Sequence, residues 1–115
     1  MAMRVVNLER GLPSVDQARS RLKQALASAK RDRVAVLKII HGYGSSGIGG
    51  ALRSAIRQSL KLRRKEGLIS AVIFGEHWSI FDQQTRDVLE AHPSLARDAD
   101  LDRLNEGVVI VVFES

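Results

Sequence analysis

The stretch with most chemical potential runs His41-Gly42-Tyr43-Gly44-Ser45-Ser46-Gly47-Ile48-Gly49-Gly50, with five glycines and two serines in ten residues. It follows an apolar run and precedes a helical pattern. Backbone amides exposed at such a junction, together with the helix dipole, favour anions. Glycine lets the chain approach a phosphate without a Cβ in the way, and Ser45 and Ser46 add hydroxyl donors. The plainer reading, a tight turn that recruits glycine, is weakened by the number of glycines. Downstream, Arg53, Arg57, Lys61 and Arg64 recur at spacings of four, four and three, so they share one helical face. Arg63 and Lys65 extend the positive field, and no acid lies between Arg33 and Glu66. A solvated helix face ordinarily mixes both signs; this one suits a phosphate backbone. Replacing Arg57 and Lys61 by alanine is expected to lower the salt slope of nucleic-acid binding by about 1.8. His41, at the end of the apolar run, is a candidate for proton transfer, or else fixes the shape of the loop through hydrogen bonds.

Two nucleotide motifs compete for the same loop. Gly42-Tyr43-Gly44-Ser45-Ser46-Gly47 matches the G-x-G-x-x-G spacing, which keeps a phosphate- or nucleotide-binding protein as one alternative function. The acid that would bind a ribose belongs about 20 residues on. The first acid at a strand end is Glu76, 29 residues after Gly47. The loop has no lysine, which excludes a Walker A element.

The elements that must position these groups follow from periodicity. Met3 to Leu8 reads as a strand. Ser14, with Gln17 three residues on, forms a capping box for a helix. In that helix Val15, Ala18, Leu22, Ala25, Leu26 and Ala29 form one apolar stripe, and it ends at Lys30-Arg31-Asp32-Arg33. Val34 to Ile40 is apolar enough for a strand covered on both faces. The second helix is expected over 50–65, with Leu52, Ile56 and Leu60 inward and Gly67 as its stop. Strands follow at Leu68–Phe74 and Val108–Phe113, separated by an insert at about 77–104 in which Asp82 caps a short helix that Pro93 ends. The order β-α-β-α-β-(helical insert)-β predicts an α/β fold: a two-layer sandwich of a four-stranded mixed sheet and two main helices.

Composition sets the outer limits. The chain has 115 residues and is expected to form one domain over 1–115. It has no cysteine, which excludes disulfides and thiolate chemistry. Met1 to Gly11 carries no apolar leader, and the longest apolar run, Val108 to Phe113, is six residues. A membrane span needs about 20, so a cytoplasmic location is expected. The net charge of +5 divides into +12 over residues 1–65 and −7 over 66–115. That split suits a polyanion, or an attraction between halves within one chain or across a homodimer. We therefore expect Asp98, Asp100, Asp102 and Glu106 to fold over the Arg53–Arg64 face and compete with nucleic acid. With few aromatic residues, a stacking platform is not expected, although Tyr43 and Trp78 remain individual candidates.

Three segments resemble the Smr (small MutS-related) domain. They are Ile39-Ile40-His41-Gly42-Tyr43-Gly44, Gly50-Ala51-Leu52-Arg53 and Asn105-Glu106-Gly107-Val108-Val109-Ile110-Val111. The helix opening at Ser14-Val15-Asp16-Gln17-Ala18 is also similar to the first helix of that family. The resemblance implies a fold like the C-terminal domain of translation initiation factor three and a role in binding DNA or RNA, branched or structured. Some members nick or cleave, so a structure-selective endonuclease or ribonuclease is a second alternative. The resemblance places His41, Gly42 and Gly44 in the family's loop and Arg53 on its arginine. It departs at the first strand, where the family has Leu-Asp-x-His-Gly and this chain has Val6-Asn7-Leu8-Glu9-Arg10-Gly11. Asn7 stands for the acid and Glu9 for the histidine, and a neutral amide is neither a general base nor a strong ligand for a hard metal. A nuclease reading rests on His41 and Glu9, and Mg²⁺ or Mn²⁺ is implied only by that reading.

Overall fold

A computed structural model of the chain describes residues 2–43 and 47–113. The elements run β1 (Met3–Asn7), α1 (Val15–Arg31), β2 (Val36–Ile40), α2 (Gly47–Lys65), β3 (Ala71–Phe74), α3 (Gln83–Ala91) and β4 (Val108–Val112). Short 3-10 turns at Gly75–His77 and Pro93–Arg97 flank α3. The sheet order is β1-β2-β4-β3. β1 and β2 are parallel, and β4 lies antiparallel between β2 and β3. The expected α/β fold with a mixed four-stranded sheet is therefore the observed one.

Local chemistry accounts for the boundaries. The Ser14 hydroxyl accepts from the Gln17 amide, and the Gln17 side chain accepts from the Ser14 amide, so the predicted capping box is formed. α1 ends in a turn in which the Arg33 amide reaches the Lys30 carbonyl and the Val34 amide reaches Ala29. Arg33 there takes φ +56°, and β2 starts at Val36, later than expected. Gly67, at φ +79°, closes α2, and the Leu68 amide still bonds back to Arg63. β3 consequently begins at Ala71 rather than Leu68. α2 itself opens at Gly47, three residues before the expected start.

The sheet is covered on both faces by strict alternation. Leu37, Ile39, Val109 and Val111 meet Leu22, Leu26, Ile56 and Leu60 of α1 and α2. Val36, Ile110, Val112 and Ile73 meet Trp78, Val88 and Leu95 of the β3–β4 connection. The helix pair and sheet make the predicted two layers; the connection adds cover on the opposite face. Trp78 is fully buried there, which removes it as a surface contact.

The same alternation turns Lys38 towards the connection, 6 % exposed. Its ammonium lies 3.0 Å from Asp98 and is also paired with Asp100. Trp78 Nε1 donates to Asp98 Oδ2 at 3.1 Å, and Asn105 donates to Asp100 at 2.7 Å. Burial works against the Lys38 charge, but the hydrogen bonds to Asp100 and Asp98 outweigh it and raise its pKa. Asp102 accepts the Ile80 amide at 3.0 Å. The expectation that these acids cover the Arg53–Arg64 face is therefore corrected: Asp98 and Asp100 clasp the connection to the central sheet on the other side. Only Glu106 approaches that face, 3.9 Å from Arg53.

Candidate nucleic-acid interface

Parallel pairing of β1 with β2 brings the two candidate motifs together. The Leu8 amide donates to the Ile40 carbonyl, which sets the segment after β1 beside the segment after β2. The His41 and Gly42 amides both donate to the Gly107 carbonyl at 3.0 Å, anchoring the loop to the approach of β4. Gly42 has φ +82°, and a Cβ there would lie 2.0 Å from Glu9 Oε2. The Glu9 carboxylate thus rests on Gly42, and the structure does place Glu9 next to the His41–Gly42 backbone. The Tyr43 ring is exposed and lies over Gly107. Gly44, Ser45 and Ser46 lie outside the described residues, and Gly47 opens α2.

His41 is fully buried. Arg57 Nε lies 3.1 Å from its Nε2, and Nδ1 lies 2.9 Å from the Gly42 carbonyl. A guanidinium only donates and a carbonyl only accepts, so Nε2 is the acceptor and Nδ1 carries the proton. Burial, helped by the Arg57 and Arg53 charges and opposed by the Gly42 carbonyl, pushes the His41 pKa down to about 4. The imidazole is therefore neutral at physiological pH, with both nitrogens engaged. Its geometry matches the loop-fixing reading of this residue.

Arg57 is the centre of the arrangement. Nη1 donates to Glu76 Oε2 at 2.7 Å, and Nη2 donates to Glu76 Oε1 at 2.8 Å and to the Glu106 carbonyl at 2.9 Å. The guanidinium sits 4.3 Å over the Phe74 ring. Only 12 % of its side chain is exposed. Burial works against the Glu76 charge, yet the Arg57 hydrogen bonds outweigh it and hold that carboxyl below the usual range. Arg57 thus does not project outward with its helical neighbours. It ties α2 to the ends of β2 and β3 and to the approach of β4. Glu76, considered above only as a ribose ligand set too far along the chain, is its ionic partner.

The rest of the row behaves as the spacing predicts. Lys61 and Arg64 are exposed, and Arg53 is partly so. Among the described residues no carboxylate lies within ion-pairing distance of Lys61 or Arg64. An open hollow of about 630 Å³ runs beside α2 past Arg53, Arg57 and Lys61, with Phe74, Glu76 and Glu106 opposite. A second hollow, of about 430 Å³, adjoins it through Lys61 and Phe74 and continues past Arg64 to His77 and Asp82. Among the described residues no group of three or more His, Asp or Glu converges as a metal site, and Glu9 and His41 do not supply the donor set a hard cation needs. No described helix is long and apolar enough to cross a membrane.

A family model, the Smr domain, matches residues 10–70, just over half of the chain. This chain belongs to the Smr family. The matched stretch includes α1, β2, the glycine loop and α2. The acidic β3–β4 connection lies beyond it. The fold is also similar to the crystal structure of the Smr domain of Thermus thermophilus MutS2, with a TM-score of 0.55 and 23 % identity over the whole of both chains. Comparison with curated proteins gives no match. Smr domains as a family generally bind or nick nucleic acid. In this Smr domain contacts within the chain join the basic and acidic halves at Lys38 with Asp98 and Asp100, at Arg57 with Glu76, and at Arg53 with Glu106.

Proposed function

We propose that this Smr domain binds DNA or RNA by its phosphate backbone, gripping it along the hollows beside α2. Arg53, Lys61 and Arg64 are the phosphate contacts. Arg57 and His41 act as positioning residues that fix the glycine loop and the strand ends beneath the helix. The carrying observation is the row of cations on α2, exposed and without an ion-paired carboxylate at Lys61 and Arg64 among the described residues, along two adjoining open hollows. The expected phosphate contacts of Gly42, Tyr43, Gly44, Ser45, Ser46 and Gly47 belong to the same proposal, since backbone amides before a helix favour a phosphate. A grip rather than a cut is supported by His41, whose nitrogens are both engaged, and by Asn7 in the place of the family's acid.

Incubation with labelled branched DNA and hairpin RNA, with and without Mg²⁺ or Mn²⁺, tests this on paired native and denaturing gels. The expected result is shifted, uncut substrate. Product on the denaturing gel that disappears in His41→Ala would replace the grip with a nuclease, and no shift at low salt would remove the reading altogether.

A further inference from the structure

The hollows beside α2 have walls of opposite charge. Lys61 and Arg64 stand on the helix wall of the outer one, and Asp82 and Gln84 face it from the start of α3. In the inner one, Glu76 and Glu106 oppose Arg53. A duplex is anionic along both strands, and a carboxylate wall opposite the cations works against it. An unpaired strand carries its phosphates on one side and its base edges on the other. Amino groups on those edges donate hydrogen bonds that carboxylate and amide oxygens accept.

A second observation lies next to Asp82. Phe81 is 86 % exposed, more than Tyr43 at 57 %, while Trp78 is fully buried. The turn that presents it is held on several sides. The Ile80 amide donates to Asp102 at 3.0 Å, the Phe81 amide to Ser79 Oγ at 3.2 Å, and the Asp82 amide to the Ser79 carbonyl at 2.9 Å. Arg86 donates to the Ile80 carbonyl at 2.8 Å. An exposed aromatic ring one residue before Asp82, which lines the same hollow as Lys61 and Arg64, supplies the components of a site that stacks a base while holding its phosphate. The outer hollow, at about 430 Å³, lies within the range that takes a ligand of nucleotide size.

Resting on the nucleic-acid reading above, we propose that the strand bound is unpaired, with a base stacked on Phe81 and the adjoining phosphates on Lys61 and Arg64. Fluorescence anisotropy of the full chain with a labelled single strand of about 15 nucleotides of mixed A and C, and with the duplex of the same strand, tests this. The strand is expected to bind more tightly than the duplex. Phe81→Ala should weaken strand binding about 5- to 150-fold, while duplex affinity, salt slope and thermal midpoint stay as in the parent. Phe81→Trp should bind like the parent, and its added fluorescence should be quenched by the strand. Unchanged strand affinity in Phe81→Ala, or a preference for duplex, would overturn the proposal. If Lys61→Ala/Arg64→Ala loses binding and Phe81→Ala does not, the grip on phosphate stands and the stacking fails; if neither probe binds in a salt-dependent way, both readings fail. Loss of a dimer in Phe81→Ala by light scattering, with strand binding intact, would assign the ring to self-association and overturn it as well.

Discussion

Removing cations from two places on α2 should have two different effects, although the helical spacing makes the positions look alike. Lys61 and Arg64 are exposed and lack a described carboxylate partner, so each phosphate they hold adds a released counterion to the binding equilibrium. On an unpaired strand each is worth a slope of about 0.7 in log K against log salt, so Lys61→Ala/Arg64→Ala should lower the slope by about 1.4. Across a fourfold rise in salt, the double variant should then lose about sevenfold less affinity than the parent. Arg57 already has its charge balanced by both oxygens of Glu76, and Arg57→Ala should change the slope by less than about 0.4. Its effect falls on stability instead. The substitution leaves Glu76, 26 % exposed, without its partner and the buried Nε2 of His41 without a donor, at a cost of about 2–4 kcal/mol. For a chain of this size that is a fall in Tm of about 8–16 °C. Anisotropy titrations at several salt concentrations, with thermal melts on the same samples, separate the two outcomes. A slope in Arg57→Ala reduced as far as in the double variant, at an unchanged Tm, would refute the division between gripping and positioning residues. The sequence-based expectation that paired Arg57 with Lys61 in the salt slope moves, on this geometry, to Lys61 with Arg64.

Three further outcomes follow from the same contacts. His41 is neutral in the fold with a pKa of about 4 against 6.5 unfolded, so its contribution is complete above pH 6.5 and is lost as pH falls towards 4. Urea melts should show a loss of about 3 kcal/mol over that window, and His41→Gln should flatten it. Gly75→Ala would place a Cβ 1.9 Å from the Asn105 carbonyl, a backbone atom with no side chain to swing away, and should cost at least about 2 kcal/mol in the same melts. Lys38→Ala strands Asp98 and Asp100 against the sheet and should cost about 3–5 kcal/mol; the triple change to Lys38→Met/Asp98→Asn/Asp100→Asn should recover much of it.

Features carried by neighbouring residues were legible from the sequence. The capping box at Ser14 and Gln17, the Leu52, Ile56 and Leu60 stripe, and the Asp82 cap of α3 each need only a few adjacent positions, and all are formed. β1 and β4 start where composition puts them, whereas β2 and β3 start later because the turns closing α1 and α2 hold residues that composition alone assigns to strands. Helical spacing groups Arg57 with the exposed cations, because spacing fixes a face and not what packs against it. Its partners come from Glu76 and Glu106, 19 and 49 residues away. For Lys38 a signal was present. A lysine inside a strand apolar on both faces demands a buried acid, and the cluster at Asp98 and Asp100 was the available source. Phe81 carries no pattern at all, since exposure of a single ring in a turn is decided by the fold around it.

The clasp at Arg57 also sets what can vary independently in this molecule. Because one guanidinium joins the helix to three strand ends, the inner part of α2 cannot be altered without disturbing the frame that holds the glycine loop. The outer part has no such obligation. Lys61 and Arg64 can be exchanged, charge for charge, with little consequence for folding, so affinity and salt sensitivity are adjustable traits while loop geometry is an inherited one. An engineer seeking a weaker or tighter binder would work from the C-terminal end of that helix and leave its middle alone.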